Sequence, residues 1–110
     1  VKDRPDRVTP PLLDVLDAFL QADGFELYGW AIIKTTGRSG PTVYKILERL
    51  TEMGWVSARW DDQPAEPNRP RRRYYTLTGD AAIPARRLLT ERRPARTATP
   101  GRPALGGGMT

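Results

Sequence analysis

Between two short apolar-striped segments lies the run Thr36-Gly37-Arg38-Ser39-Gly40-Pro41-Thr42. A glycine ends one helix without the Cβ penalty of a left-handed cap. Ser39 or Gly40 then caps the next, and Pro41 stands at its first position, where no amide partner is lost. A connection this brief forces the two helices to pack at a steep angle. An ordinary helical hairpin in an unrelated small protein is the plain alternative. The residues that follow argue against it.

The apolar positions set out the rest. Thr9-Pro10 starts a helix in which Leu12, Leu13, Leu16, Phe19 and Leu20 share one face, with Asp14 and Asp17 off that stripe, and Gly24 ends it. A second helix is expected from about Tyr28 to Thr36, with Trp30, Ile33 and Ile32 turned inward. In the third, Val43, Ile46, Leu47 and Leu50 make the buried stripe, leaving Thr42, Lys45, Glu48, Arg49 and Glu52 outside and Tyr44 on its flank. Gly54 stops this helix, and Trp55 to Trp60 is rich in strand formers. Asp61 to Asn68 is a loop longer than the usual hairpin connection. Arg71 to Leu77 returns, Tyr75 and Leu77 on one face, Tyr74 and Thr76 on the other. Thr78 caps a last helix to about Leu89, and Pro84 must either kink it or begin its regular part.

Helix, tight turn, helix, basic hairpin is the order of a winged helix-turn-helix, a mainly α domain with a small β-hairpin. Its expected extent is residues 9–92, between a polar arm (1–8) and a Pro/Gly-rich basic tail (93–110) too poor in apolar residues to fold. In that architecture the second helix of the pair, about 40–53, enters the major groove of double-stranded DNA, and the wing, about 59–75, engages the backbone.

Charge agrees with this. Residues 1–60 hold eight basic and eight acidic side chains, whereas 61–110 hold ten arginines against five acids, so the second half carries the whole net charge of +5. Fifteen of the eighteen basic residues are arginine, suited to bidentate contacts with phosphate and guanine, although coding bias alone can inflate the total. Clustering is more specific: Arg69, Arg71, Arg72 and Arg73 flank Pro70, more positive charge than protection of a strand edge requires.

Other chemistries find little support. With no cysteine and no histidine, disulfides, thiolate metal sites, most zinc sites and His-based catalysis are out of reach. Asp61, Asp62 and Glu66 read as a solvated loop rather than a metal site, and no Ser or Thr has a base beside it. The expectation is a non-enzyme without cofactor or metal. No apolar run approaches the roughly 18 residues of a membrane span and no signal-peptide pattern opens the sequence, so the expected location is the cytoplasm. Trp30, Trp55 and Trp60, with Tyr74 and Tyr75, admit an aromatic ligand pocket or a base-stacking platform. Filling the core of a small domain is the preferred reading. A domain of this length buries only about 60–65% of its unfolded surface, which makes a dimer partner a plausible source of further stability. Leu12, Leu16 and Phe19 of the first helix, with Ile83, Leu88 and Leu89 of the last, are the expected dimer contacts.

Over Phe25 to Leu89 the sequence resembles the PadR family of bacterial winged-helix transcriptional regulators. Tyr28-Gly29-Trp30 is similar to the family's aromatic-Gly-aromatic signature, and Pro41-Thr42-Val43-Tyr44-Lys45-Ile46-Leu47-Glu48-Arg49-Leu50 to its recognition helix. Gly54-Trp55-Val56 and Arg69-Pro70-Arg71-Arg72-Arg73-Tyr74-Tyr75-Thr76-Leu77-Thr78 are similar to the wing and the cap after it. Lys45 stands where the family often has proline, Pro41 where it often has glycine, and Asn68 replaces the usual glycine before Arg69. Long members carry a further C-terminal domain, for which this sequence is too short. The resemblance implies a homodimeric repressor reading a near-palindromic site. Thr42, Tyr44 and Lys45 would face the groove, with Arg49 further along the same helix, and Ser39, Arg71, Arg72 and Arg73 would hold phosphates. It also implies a response to small lipophilic or phenolic effectors. The competing function is a protein-interaction module that uses the arginines against an acidic partner.

Overall fold

The structure, a computed structural model, describes Pro5, residues 7–60 and residues 72–93. The loop from Asp61, with Arg69 and Arg71, and the tail from Pro94 lie outside the described residues, as does most of the expected arm.

Helix α1 (Pro10–Gln21) begins where the Thr9 side chain accepts a hydrogen bond from the Leu12 amide at 3.3 Å. It buries Leu12, Leu13, Val15, Leu16, Ala18 and Phe19. A single 3₁₀ turn over Asp23–Phe25 follows, with Gly24 and Phe25 both at positive φ. Strand β1 (Glu26–Tyr28) then leads directly into α2 (Gly29–Thr36). Gly37, at φ 71°, closes α2 in the left-handed region and starts the expected turn. Helix α3 (Gly40–Glu52) is capped by Ser39 and buries Val43, Ile46, Leu47 and Leu50 as its periodicity requires. Strands β2 (Val56–Trp60) and β3 (Arg73–Leu77) form the hairpin, and α4 (Gly79–Arg92) begins on a Thr78 cap.

Three corrections concern the elements. The sheet has three antiparallel strands in the order β1-β3-β2, not two: β1 pairs with β3 through Glu26–Thr76, Leu27–Tyr75 and Tyr28–Tyr74. Tyr28 therefore belongs to a strand and α2 starts one residue later. Second, Trp30 is 56% exposed rather than inward, while Ile32 is buried and Ile33 packs partly against the core. The core takes its tryptophan from Trp55 instead, which is fully buried. Its backbone also ties elements together, the Trp55 amide donating to Leu50 and its carbonyl accepting from Thr78. Third, α4 runs through Pro84 to Arg92, and Arg93, assigned to the tail, folds back to donate to the Pro10 carbonyl at 3.1 Å.

The apolar stripes expected to face a second subunit are used within one chain. Leu12, Leu16, Phe19, Leu88 and Leu89 are all buried in a core shared by α1, α3, β3 and α4. Five of the six expected dimer contacts lie in the core of the single chain, where α4 packs against α1. Ile83 alone stays outside, 61% exposed.

Candidate nucleic-acid interface

The turn before α3 is fixed by chemistry that no local pattern announces. Thr36 donates its hydroxyl to the Ile32 carbonyl at 2.8 Å and accepts from the Arg38 amide at 3.2 Å. The Arg38 guanidinium reaches back to one oxygen of Asp14, Nε at 2.9 Å and Nη2 at 2.8 Å. Arg93 meets the other oxygen at 2.9 Å. One carboxylate thus joins α1, the turn and the end of α4. Partial burial alone would raise its pKa, but the hydrogen bonds and charges of Arg93 and Arg38 outweigh that and hold Asp14 below its ordinary 3.8.

Helix α3 presents its exposed face from this anchor. Ser39 accepts from the Thr42 amide at 3.4 Å and donates its hydroxyl to the Thr42 Oγ1 at 3.0 Å, so these two candidate residues first of all build the helix start. With about 100° between successive residues, Pro41, Lys45, Glu48 and Glu52 point outward, opposite the buried stripe. Thr42 and Arg49 lie on one flank and Tyr44 on the other. The outward acids sit in the C-terminal half, whereas the N-terminal half combines Lys45 with the positive end of the helix dipole. The N-terminal half is therefore the electrostatically favourable end of the helix for negative charge.

Each flank borders a cavity. On the first, Thr42, Lys45 and Arg49 share about 430 Å³ with Arg7, Thr9 and Pro11 from the start of α1. Arg7, which the sequence places in a frayed arm, lines this cavity beside the α1 cap. On the second, Tyr44 lines about 500 Å³ with Tyr28, Gly29, Trp30, Trp60, Tyr75 and the candidate arginines Arg72 and Arg73. A Cβ on Gly29 would stand 2.8 Å from two Tyr44 ring carbons and closer still to its hydroxyl, so glycine is what lets that ring lie across the start of α2.

The sheet divides its side chains by face. On the outer face Arg59 bonds Glu26 through Nε and Nη2, both at 3.2 Å, Thr76 donates to Glu26 at 3.1 Å, and the Arg59 guanidinium lies 4.7 Å from the Tyr74 ring centre. On the other, Trp60 is paired in register with Arg73, whose guanidinium sits 5.1 Å from its ring centre. Tyr28, paired with Tyr74 and so on the outer face, has the Arg72 guanidinium 4.8 Å from its ring centre. The structure therefore gathers Ser39, Thr42, Lys45 and Arg49 along α3, and Tyr44, Arg72 and Arg73 around the second cavity. Arg71 is outside the described residues. The preference for core-filling aromatics holds for Trp55 and Tyr75 and fails for Trp30 and Trp60, which stand half-exposed. Among the described residues, no three potential metal ligands cluster and no helix is long and apolar enough to cross a membrane.

Solved structures similar to this one include transcriptional regulators. The PcaV transcriptional regulator from Streptomyces coelicolor, solved with its natural ligand, superposes with a TM-score of 0.64 at 25% identity, over 83% of this chain and 58% of that one. BpsR from Bordetella bronchiseptica, whose DNA binding is regulated by 6-hydroxynicotinic acid, gives 0.62 at 22% identity over 91% and 73%. PadR from Bacillus subtilis in complex with operator DNA gives 0.60 at 22% identity, over 77% of this chain and 48% of that one. The chain thus spans less than three-fifths of the PcaV regulator's length. No curated protein matches the sequence. Residues 20–82, more than half of the chain and containing α2, α3 and the sheet, match the Transcriptional regulator PadR-like family. The chain belongs to the PadR-like family of transcriptional regulators.

Proposed function

We propose that this protein binds double-stranded DNA as a homodimeric transcriptional repressor, its activity modulated by a small lipophilic or phenolic effector. The N-terminal half of α3 enters the major groove, where Thr42 and Lys45 read base edges. Arg49, Ser39 and Arg7 meet phosphates beside it, and Arg71, Arg72 and Arg73 meet the backbone from the wing. The observation that carries the reading is the anchored turn. Asp14 holds Arg38 and Arg93 at once, so the start of α3 is fixed to the body of the domain while its cationic end faces outward. Family membership and the operator complex of the Bacillus subtilis relative support the same conclusion.

The test is salt. Phosphate contacts release counterions, so affinity for duplex DNA should fall about a thousandfold or more between roughly 50 and 200 mM salt if a dimer makes about six to ten of them. No binding to random duplex at low salt, or a flat salt response, would favour the protein-interaction module instead. Selection of genomic fragments with purified protein then identifies the operator.

A further inference from the structure

Core filling does not account for the rings on the wing side of α3, and duplex binding does not account for them either. Three large aromatic side chains line that cavity in contact with solvent: Trp30 is 56%, Trp60 50% and Tyr44 48% exposed. Aromatic surface left in water forgoes roughly 25 cal/mol for each Å² not buried. The rings are held in place. Trp30 stacks on Tyr28 at 6.1 Å with 13° between planes, and Tyr44 lies across the start of α2, where Gly29 leaves it room. Each of the two tryptophans carries a cation, Lys34 at 4.7 Å from the Trp30 ring centre and Arg73 at 5.1 Å from that of Trp60. Arg72 rests on Tyr28 in the same way. A duplex has little use for such rings, because its bases show only their edges in the grooves and stack their faces on one another. Unpaired bases offer their faces.

We infer that this cavity binds single-stranded nucleic acid, with unpaired bases stacked on its exposed rings and the neighbouring phosphates held by Lys34, Arg72 and Arg73. Rings and cations are interleaved on this surface as bases and phosphates are along a strand. An arriving base takes the cation's place on a ring, and the displaced cation, on a long exposed side chain, stays within reach of the phosphate beside that base. Stacking contributes about 1–3 kcal/mol per base, which offsets the lost cation–π contact of about 0.5–1 at an exposed site. Recognition of this kind tolerates any sequence, since every base has a face to stack. The volume of about 500 Å³ is that of a small-molecule site, so it encloses a short piece of the strand and not its whole length. Binding of the strand goes beyond the duplex reading proposed above and does not rest on it, although Arg72 and Arg73 serve in both.

The experiment uses the whole chain with strands of about twelve nucleotides. Oligodeoxyuridylate is the main probe, and an abasic strand of the same length and charge is its control. The three tryptophans give three indole N–H signals by NMR. Oligodeoxyuridylate should shift those of Trp30 and Trp60 saturably, leave the buried Trp55 in place, and bind at least tenfold more tightly than the abasic strand. Absence of saturable shifts, or equal affinity for the two strands, would overturn the site, because charge alone would then explain any binding. Trp60→Ala and Trp30→Ala should each weaken oligodeoxyuridylate about tenfold and change the abasic strand little. Equal losses on both strands would count against stacking. The Trp55 signal shows that the core of each variant is intact, and Trp60→Phe, which keeps a ring, should keep the affinity; a loss as large as that of Trp60→Ala would overturn the role of the ring. Arg73→Gln should weaken both strands, and no loss on either would remove the phosphate contact. Oligouridylate, which differs only by its 2′-hydroxyls, distinguishes the sources of the strand. Binding within about threefold of the deoxy strand is expected if faces and phosphates are all that is read. A preference beyond tenfold for either sugar would overturn recognition by stacking and charge alone. A duplex of the same length separates this inference from the function proposed above. Duplex binding without single-strand binding overturns the inference alone, whereas single-strand binding without duplex binding overturns the duplex reading and leaves the site intact.

Discussion

Asp14 shows how one side chain can set the geometry of an interface it does not touch. Its two oxygens are divided between Arg93 and the Arg38 of the turn, and the three groups are at most about a third exposed. Hydrogen bonds to charged partners contribute roughly 1.5–3 kcal/mol each when well shielded, and Arg38, the most exposed member, falls toward the surface-pair value of about 1 or less. Asp14→Asn should therefore cost about 1–2 kcal/mol, read as a lower thermal midpoint, and weaken DNA binding by loosening the start of α3. The sign with pH follows from the depressed pKa. The stabilisation is fully present above the unfolded value, near 3.8, and is lost as pH falls through the lower folded value. Wild type and variant should accordingly differ most at neutral pH and converge in acid. A constant difference across that range would show that the carboxylate charge is not what Asp14 contributes. The arginines and the helix residues should separate in a different way. Changing Thr42 or Lys45 should alter which sequence is preferred in a binding selection, and neutralising Arg72 with Arg73 should weaken all duplexes about equally and flatten the salt slope. The opposite pattern would exchange their roles.

At the scale of elements, Pro84 is the clearest departure from helix chemistry. It stands six residues into α4, where it removes the amide that would bond Asp80 and crowds that residue's carbonyl. Pro84→Ala should stabilise the domain by about 1–3 kcal/mol and raise its midpoint by several degrees; a lowered midpoint would mean that the proline fits a bend that the packing requires. How far each element could be read from the sequence depends on the range of what determines it. Thr9, Ser39 and Thr78 cap helices through bonds three residues away, and the α3 stripe is a periodicity within thirteen residues, so all were legible. Strand β1 was not: three residues carry no period, and its partners lie about fifty positions further on, as Glu26 with Thr76 shows. The Asp14 clamp spans separations of 24 and 79 residues and was invisible for the same reason. Trp30 and Trp60 misled because tryptophan commonly fills cores, and only the fold reveals that one tryptophan, Trp55, already fills this one.

Assembly depends on where α4 lies. A dimer would set two copies of α3 about 34–36 Å apart, one turn of DNA, and so demand a pseudo-palindromic operator. Five of the six expected contacts close the core of the single chain. Replacing Leu88 or Leu89 with a charged residue should therefore unfold the domain rather than dissociate it, since burying an unpaired charge costs several kcal/mol against a total stability of about 5–15. Ile83 is different. It projects from α4 on the side away from the core, and of the six residues it is the one whose apolar surface remains available to a partner. Ile83→Glu should leave the thermal midpoint at low protein concentration nearly unchanged, because nothing buried is removed. It should nevertheless convert a dimer to a monomer by sedimentation at micromolar concentration and reduce affinity for a two-half-site duplex far more than for a single half-site. If the unaltered protein sediments as a monomer, both free and with duplex present, the dimer is excluded and the operator should consist of a single half-site.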